Sequence, residues 1–311
     1  MSYKLLSYQV GRDARAGVLV GDTVYDAARV TGVPAYASVL DMLEDWSKAK
    51  GSLAQAAKRI AAGNSRAKGQ PLARTRLLAP VLYPGAIFCA GANYRDHMLE
   101  MARVSNLPPE KDPHEVGLKA WHFIKTSRSS VVGPGARVRL PAYSQMVDWE
   151  VELAAVIGRP ARNVTIEKAL AYVAGYTIAD DLSARDAMRR PHVSDASPFK
   201  LDWLSQKCFE SACPLGPWIV PAADIPDPQK LAMKLWVDDE LMQDSSTSQM
   251  IFTTAEQIAQ LSTRVTLQPG DLILTGTPAG VGMGRRRFLQ AGETVRLWIE
   301  GIGELRHTMT G

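Results

Sequence analysis

The stretch VDWEVELAAVIG, residues 147–158, reads as a buried strand that carries two carboxylates. Successive side chains on a strand point to opposite faces. Glu150 and Glu152 therefore share one face, with Val151 and Leu153 on the other. Two like charges about 7 Å apart along an otherwise apolar strand repel each other and lose solvation. From the spacing alone two explanations are open: both glutamates are solvated on an exposed sheet face, or a cation holds them.

A third acid favours the cation. GYTIADDLSARD (175–186) runs as an apolar strand into Asp180 and Asp181 before a helical turn. Three carboxylates converging on one point suit Mg²⁺, Mn²⁺ or Ca²⁺, which take oxygen ligands and keep several waters. A second clue is CAGANYRDHMLEM (89–101), where His97 and Glu100 stand three apart on a predicted helix and so share a face. A carboxylate beside an imidazole raises its basicity and fixes its tautomer, as a general base requires. An isolated pair of this kind is more often a surface ion pair.

The rest of the chain bounds these readings. Its 311 residues fit one large domain, or one with a smaller companion. The formal charge of +4 comes with no long basic run, and the densest cluster, GRRRFL at 284–289, reads as a loop, so no nucleic-acid partner is expected. No apolar run approaches the roughly 18 residues of a membrane span, and MSYKLLSYQVGRDAR lacks a signal-peptide core. Cys89, Cys208 and Cys213 have neither disulfide nor zinc spacing, so free thiols in a reducing, cytoplasmic setting are expected.

Residues 1–35 read as short strands, and 36–64 take helical spacing, with Val39, Leu40, Met42, Leu43 and Trp46 recurring before Gly51. GNSRAKGQP (63–71) reads as a linker. These features predict a small N-terminal α+β domain over 1–70 and a larger domain over 72–311. The latter is mostly β, interrupted by helical NYRDHMLEMARV and TIEKALAYVAG. GTPAGVGMG lacks the Gly-Lys-Ser/Thr ending of a phosphate loop.

Taken together, NYRDHMLE, DWEVELAAVIG, YTIADDLSARD, CPLGPW and LILTGTPAGVG, in this order between about residue 80 and the end, resemble the fumarylacetoacetate hydrolase family. The resemblance implies an α+β, predominantly β fold, a mixed β-sandwich roll that usually forms homodimers. It implies Glu150, Glu152 and Asp181 as ligands of Mg²⁺ or Mn²⁺ (Ca²⁺ in crystals), supported by Asp180. It makes His97 and Glu100 a water-activating pair on a lid-like helix, and Lys207, in SQKCFESACPLGPW, the active-site lysine. Lys125 in FIKTSRSS, Arg185 in SARD and Thr277 in TGTP are the implied substrate-binding residues. Met188 stands where many relatives have glutamine, Glu210 where aspartate is usual, and RRPHVSDASPFKLDWLS matches poorly. These departures bear on the substrate's distal end.

A cation beside a base suits a substrate with two adjacent oxygens, a 2-oxo or diketo acid. The expected reaction is hydrolytic cleavage of a carbon–carbon bond in an acylpyruvate or fumarylpyruvate-like acid. The metal would stabilise the enolate, and His97 would deprotonate the attacking water. Lys207 would add positive charge near the oxyanion. Decarboxylation of a 2-oxo diacid, or isomerisation or hydration of an unsaturated one in aromatic catabolism, would use the same ligands. A metal-dependent binding protein on this scaffold would be expected to have lost ligands or base, and all are present.

Overall fold

The computed structural model describes residues 2–311. The chain opens as an antiparallel meander of β1 (Lys4–Val10), β2 (Asp13–Val20) and β3 (Thr23–Asp26), in register Leu5↔Val18 and Leu19↔Val24. Helix α1 (Val39–Glu44) begins in a capping box from Ser38 and Asp41, and α2 (Trp46–Ala61) follows directly. As the helical spacing over 36–64 implies, α2 runs straight through Gly51. Ala49, Leu53, Ala56 and Ala57 continue the buried stripe, and packing of that stripe outweighs the roughly 1 kcal/mol that one helical glycine costs. The segment after α2 ends in the short strand Gln70–Pro71, which pairs with β3.

The remaining main elements are β4 (Ile87–Ala90), α3 (Arg95–Val104), β5 (His122–Lys125), β6 (Val151–Ile157), β7 (Val173–Asp180), α4 (Trp203–Lys207), β8 (Cys213–Pro221), β9 (Ala232–Val237), β10 (Glu240–Ser246), α5 (Thr254–Ser262), β11 (Leu272–Leu274), α6 (Gly282–Arg285), β12 (Thr294–Ile299) and β13 (Gly303–Thr310). The predicted helix TIEKALAYVAG is helical only over Ile166–Ala169, with a 3-10 turn at Leu170–Tyr172. From Val173 the chain pairs with Ile157, and a Cβ on Gly175 would strike the Val220 carbonyl. Sheet pairing, which only a glycine permits there, ends the helix.

A mixed sheet runs β3-β2-β1-β8-β7-β6-β11-β4-β5, and a second sheet runs β10-β9-β12-β13. Antiparallel pairing of β1 with β8 at Leu5↔Ile219 places the N-terminal meander in the large sheet. The two sheets pack face to face, with Leu153, Ala155 and Ile178 meeting Leu235, Leu297 and Met309. The other face of the large sheet packs on the N-terminal helices through Ala154, Val156, Ala179 and Leu53. This is the predominantly β, two-sheet α+β architecture that the sequence implied. Among the described residues no helix is long and apolar enough to cross a membrane.

The period of β6 decides where its acids lie. Val151, Leu153, Ala155 and Ile157 face the second sheet, while Ala154 and Val156 face the helices. Glu152 shares parity with Ala154, so both glutamates fall on the helix side, at the strand's N-terminal end.

Candidate metal centre and active site

Register brings the third acid to the first two. Val151 pairs with Asp180, and the Asp181 N–H donates to the Glu150 carbonyl at 3.0 Å. One ligand oxygen each from Glu150, Glu152 and Asp181 lies within 4.8 Å of the others. These residues are only 5%, 1% and 1% exposed, which rules out two solvated glutamates on an open sheet face.

Cationic side chains surround two of the three acids. Lys207 Nζ, at the end of α4, donates to Glu150 Oε2 at 3.0 Å and to Asp181 Oδ2 at 2.7 Å. Lys125 Nζ donates to Asp181 Oδ1 at 2.6 Å and to the Leu182 carbonyl at 2.9 Å. Arg185 Nη2 donates to Glu150 Oε1 at 2.6 Å, and Ser183 Oγ donates to the same oxygen at 3.1 Å. Glu152 is different: the Gly276 N–H donates to Oε2 at 2.7 Å, and among the described residues no side-chain donor reaches it.

The electrostatics follow this arrangement. Burial pushes the Glu150 carboxyl up, but Lys207 and Arg185 outweigh it and hold it below its ordinary range. Burial, then Asp181 and Glu150, push Glu152 well above that range. Burial would strip Lys207 of its proton, but Asp181 and Glu150 more than offset it and keep the ammonium. A buried carboxylate facing two others without a cation of its own fits a divalent ion, which takes hard oxygen ligands. Glu150, Glu152 and Asp181 would hold it.

The helix α3 lies beside this site. Asn93, just before it, donates to the Phe252 and Thr275 carbonyls and accepts from the Phe252 N–H. Arg95 donates to the Met250 carbonyl, and Asp96 accepts from Ser245 Oγ. The helix start is thereby pinned to the loops around β10 and α5. One turn on, His97 Nδ1 lies 3.7 Å from Glu100 Oε2 and, among the described residues, has no hydrogen-bond partner. Both Glu100 oxygens accept from the Gly280 N–H, at 3.1 and 3.0 Å. Burial raises the Glu100 carboxyl, and His97 and that N–H bring it below its usual value. An imidazolium at His97 would lie near enough to Glu150 to favour its carboxylate as well.

The structure thus brings His97, Glu100, Lys207, Lys125, Arg185 and the three acids together. Lys125 and Arg185, expected at the substrate, both bond the acids in this arrangement. The Thr277 hydroxyl donates to the Val151 carbonyl at 3.0 Å and accepts from Gln243 Nε2 at 2.9 Å. Asp180 accepts from the Glu150 N–H at 2.9 Å and bonds His307 Nε2 at 2.7 Å, which ties the site to the second sheet. Sequence reading missed Gln243, His307 and the Gly276 and Gly280 N–H groups. Backbone donors carry no signature in residue type, and the two side chains come from the other sheet.

A buried acidic triad at the ends of sheet strands, beside a helix with an imidazole–carboxylate pair, makes a metal-site scaffold of the kind the motifs resemble. Residues 86–310 match the family model described as fumarylacetoacetate (FAA) hydrolase C-terminal, and the chain belongs to that family. It is 43% identical over 231 residues, 74% of its length, to the mitochondrial oxaloacetate tautomerase fahd2 of Xenopus laevis, and spans 66% of that relative. Among solved structures it is similar to a fumarylacetoacetate hydrolase from Exiguobacterium antarcticum, with 31% identity, a TM-score of 0.78 and 99% of each chain covered. It is also similar to maleylpyruvate hydrolase from Sphingobium sp. SYK-6 in complex with manganese(II) and pyruvate, with 29% identity, a TM-score of 0.74, and 99% and 98% covered.

Proposed function

We propose that this chain binds a divalent cation through Glu150, Glu152 and Asp181 and moves a proton at the carbon beside the 2-oxo group of a small 2-oxo diacid. The observation that carries the reading is the His97–Glu100 pair on α3, whose imidazole lies within electrostatic reach of Glu150 in the buried triad. When bound, the cation supplies the Lewis acid that makes that carbon acidic. His97 takes the proton and returns one, and Glu100 stabilises the imidazolium in between. Lys207, kept as an ammonium, is no base. It offers positive charge to a substrate carboxylate. The Xenopus relative is named for oxaloacetate, and the Sphingobium complex holds manganese and pyruvate, so both names point to small 2-oxo acids.

Hydrolytic carbon–carbon cleavage of an acylpyruvate is the second reading. It asks His97 to take its proton from a water that attacks the distal carbonyl. The likeness to maleylpyruvate hydrolase along 99% of this chain favours it. A comparison of enol-oxaloacetate ketonisation with acetylpyruvate cleavage, each with Mn²⁺, separates the two. We expect faster ketonisation that a chelator abolishes. Cleavage of acetylpyruvate with ketonisation left at the uncatalysed rate would make the protein a hydrolase, and neither activity would sink both readings. We also propose, from the family resemblance, that the protein works as a homodimer, which light scattering tests.

A further inference from the structure

Asp148 stands outside the triad and is fully buried. Its Oδ1 accepts from the N–H groups of Gly282 at 2.6 Å and Trp149 at 2.8 Å. Its Oδ2 accepts from Arg185 Nε at 2.8 Å and from the Met283 N–H at 3.0 Å. The other end of the same guanidinium, Nη2, holds Glu150 Oε1. The turn over 280–284 that supplies two of these donors shows its opposite side to α3. There the Gly280 N–H holds both Glu100 oxygens, and a Cβ on Gly284 would come 2.6 Å from Glu100 Cδ. A Cβ on Gly282 would come 2.7 Å from Asp148 Oδ1. The turn is pressed between two carboxylates, with a glycine at each contact, and such close packing leaves no slack.

We propose that Asp148 is a positioning residue which, through Arg185 and the 280–284 turn, sets the Glu100–His97 pair relative to the metal ligand Glu150. The base and the cation site then keep one spacing. Its catalytic consequence rests on the proposed function, but its geometry does not. A carboxylate is needed because each oxygen faces two N–H donors. An amide would turn its own NH₂ against one of those pairs, donor against donor.

The competing role is a cap that stabilises the turn and nothing more. Asp148→Asn in the full chain, saturated with Mn²⁺, separates the two by amide hydrogen exchange. The proposal expects faster exchange in both 280–285 and 97–104, with the β12–β13 hairpin unchanged. It also expects kcat for enol-oxaloacetate to fall about 10- to 100-fold while KM moves less than about threefold. Paired with Glu100→Gln, the two losses in kcat should not add, because both act on the same pair. Faster exchange at 280–285 with wild-type exchange at 97–104 would show a cap and overturn the proposal, as would additive losses. Should Asp148→Asn not fold, Arg185→Lys serves instead. It keeps a charge but cannot bond Asp148 and Glu150 together, so 97–104 should loosen again, and wild-type exchange there would overturn the proposal. A wild-type protein inert toward every 2-oxo acid would sink the proposed function, while the exchange data would still decide the role of Asp148.

Discussion

His97 Nδ1 stops 3.7 Å short of Glu100 Oε2, near enough for charge to act and too far for a hydrogen bond. Glu100 is held back by the Gly280 N–H. Catalytic hydrogen bonds often tighten only when substrate is bound, so this pair is poised rather than closed. His97→Ala should lower kcat by roughly 10²–10⁴-fold, the span of a general base, and leave Mn²⁺ affinity near wild type. Glu100→Gln should give a smaller loss, because it weakens the base without removing it. Steady-state kinetics and Mn²⁺ titration check both. A His97→Ala variant with wild-type kcat would remove His97 from the reaction.

Glu152 makes stability depend on metal and pH together. Burial and the two neighbouring carboxylates push it well above 4.5. A raised pKa means that the folded state holds its proton more tightly, so the stability this provides is present below about 4.5 and is lost as pH rises through the folded value. Metal-free protein should therefore lose stability over that rise, whereas Glu152→Gln, which carries no proton to lose, should show a flatter profile. Mn²⁺ should raise the melting temperature of the wild type but not of Glu152→Gln. Thermal melts across pH, with chelator or with Mn²⁺, measure all three.

Lys207 bridges Glu150 and Asp181 by ammonium hydrogen bonds at 3.0 and 2.7 Å, all of them buried. Removing one partner of a buried ionic cluster leaves unpaired charge and costs about 3–5 kcal/mol. Lys207→Met should show a loss of that order in chelator and a smaller one in saturating Mn²⁺, since the cation compensates the same oxygens. Denaturant unfolding under the two conditions decides it. Equal losses would mean that the lysine and the metal do not share those carboxylates.

His122, on β5 at the edge of the large sheet, is pushed down to about 4 by burial, only partly offset by Gln257. A lowered histidine pKa means that the unfolded chain takes up the proton first. Stability should therefore fall as pH drops from about 6.5 to about 4 and change little from this source below that. The loss should be about 2 kcal/mol, allowing for partial exposure of the ring. His122→Leu should remove the slope. Urea midpoints at a series of pH values give the comparison.

The stretch 147–158 carries much of this protein's reading in its sequence alone. Its two-residue period placed Glu150 and Glu152 on one face, while their burial in the fold was what excluded solvation. The helix that carries His97 and Glu100 was likewise legible, because i and i+3 neighbours are a local property of the backbone. Local signals failed where non-local packing outweighed them. TIEKALAYVAG surrendered its last three residues to β7, where Gly175 packs against the Val220 carbonyl of the neighbouring strand. Tertiary structure alone decided that Lys125 and Arg185 bond the acids, and that Gly276 and Gly280 supply the N–H groups for Glu152 and Glu100. It alone joined Asp148 to α3 through a glycine turn lying 134 residues along the chain. The physical reason is reach: periodicity constrains neighbours within a few residues, whereas a hydrogen bond between distant segments depends on register and loop geometry that no local pattern encodes.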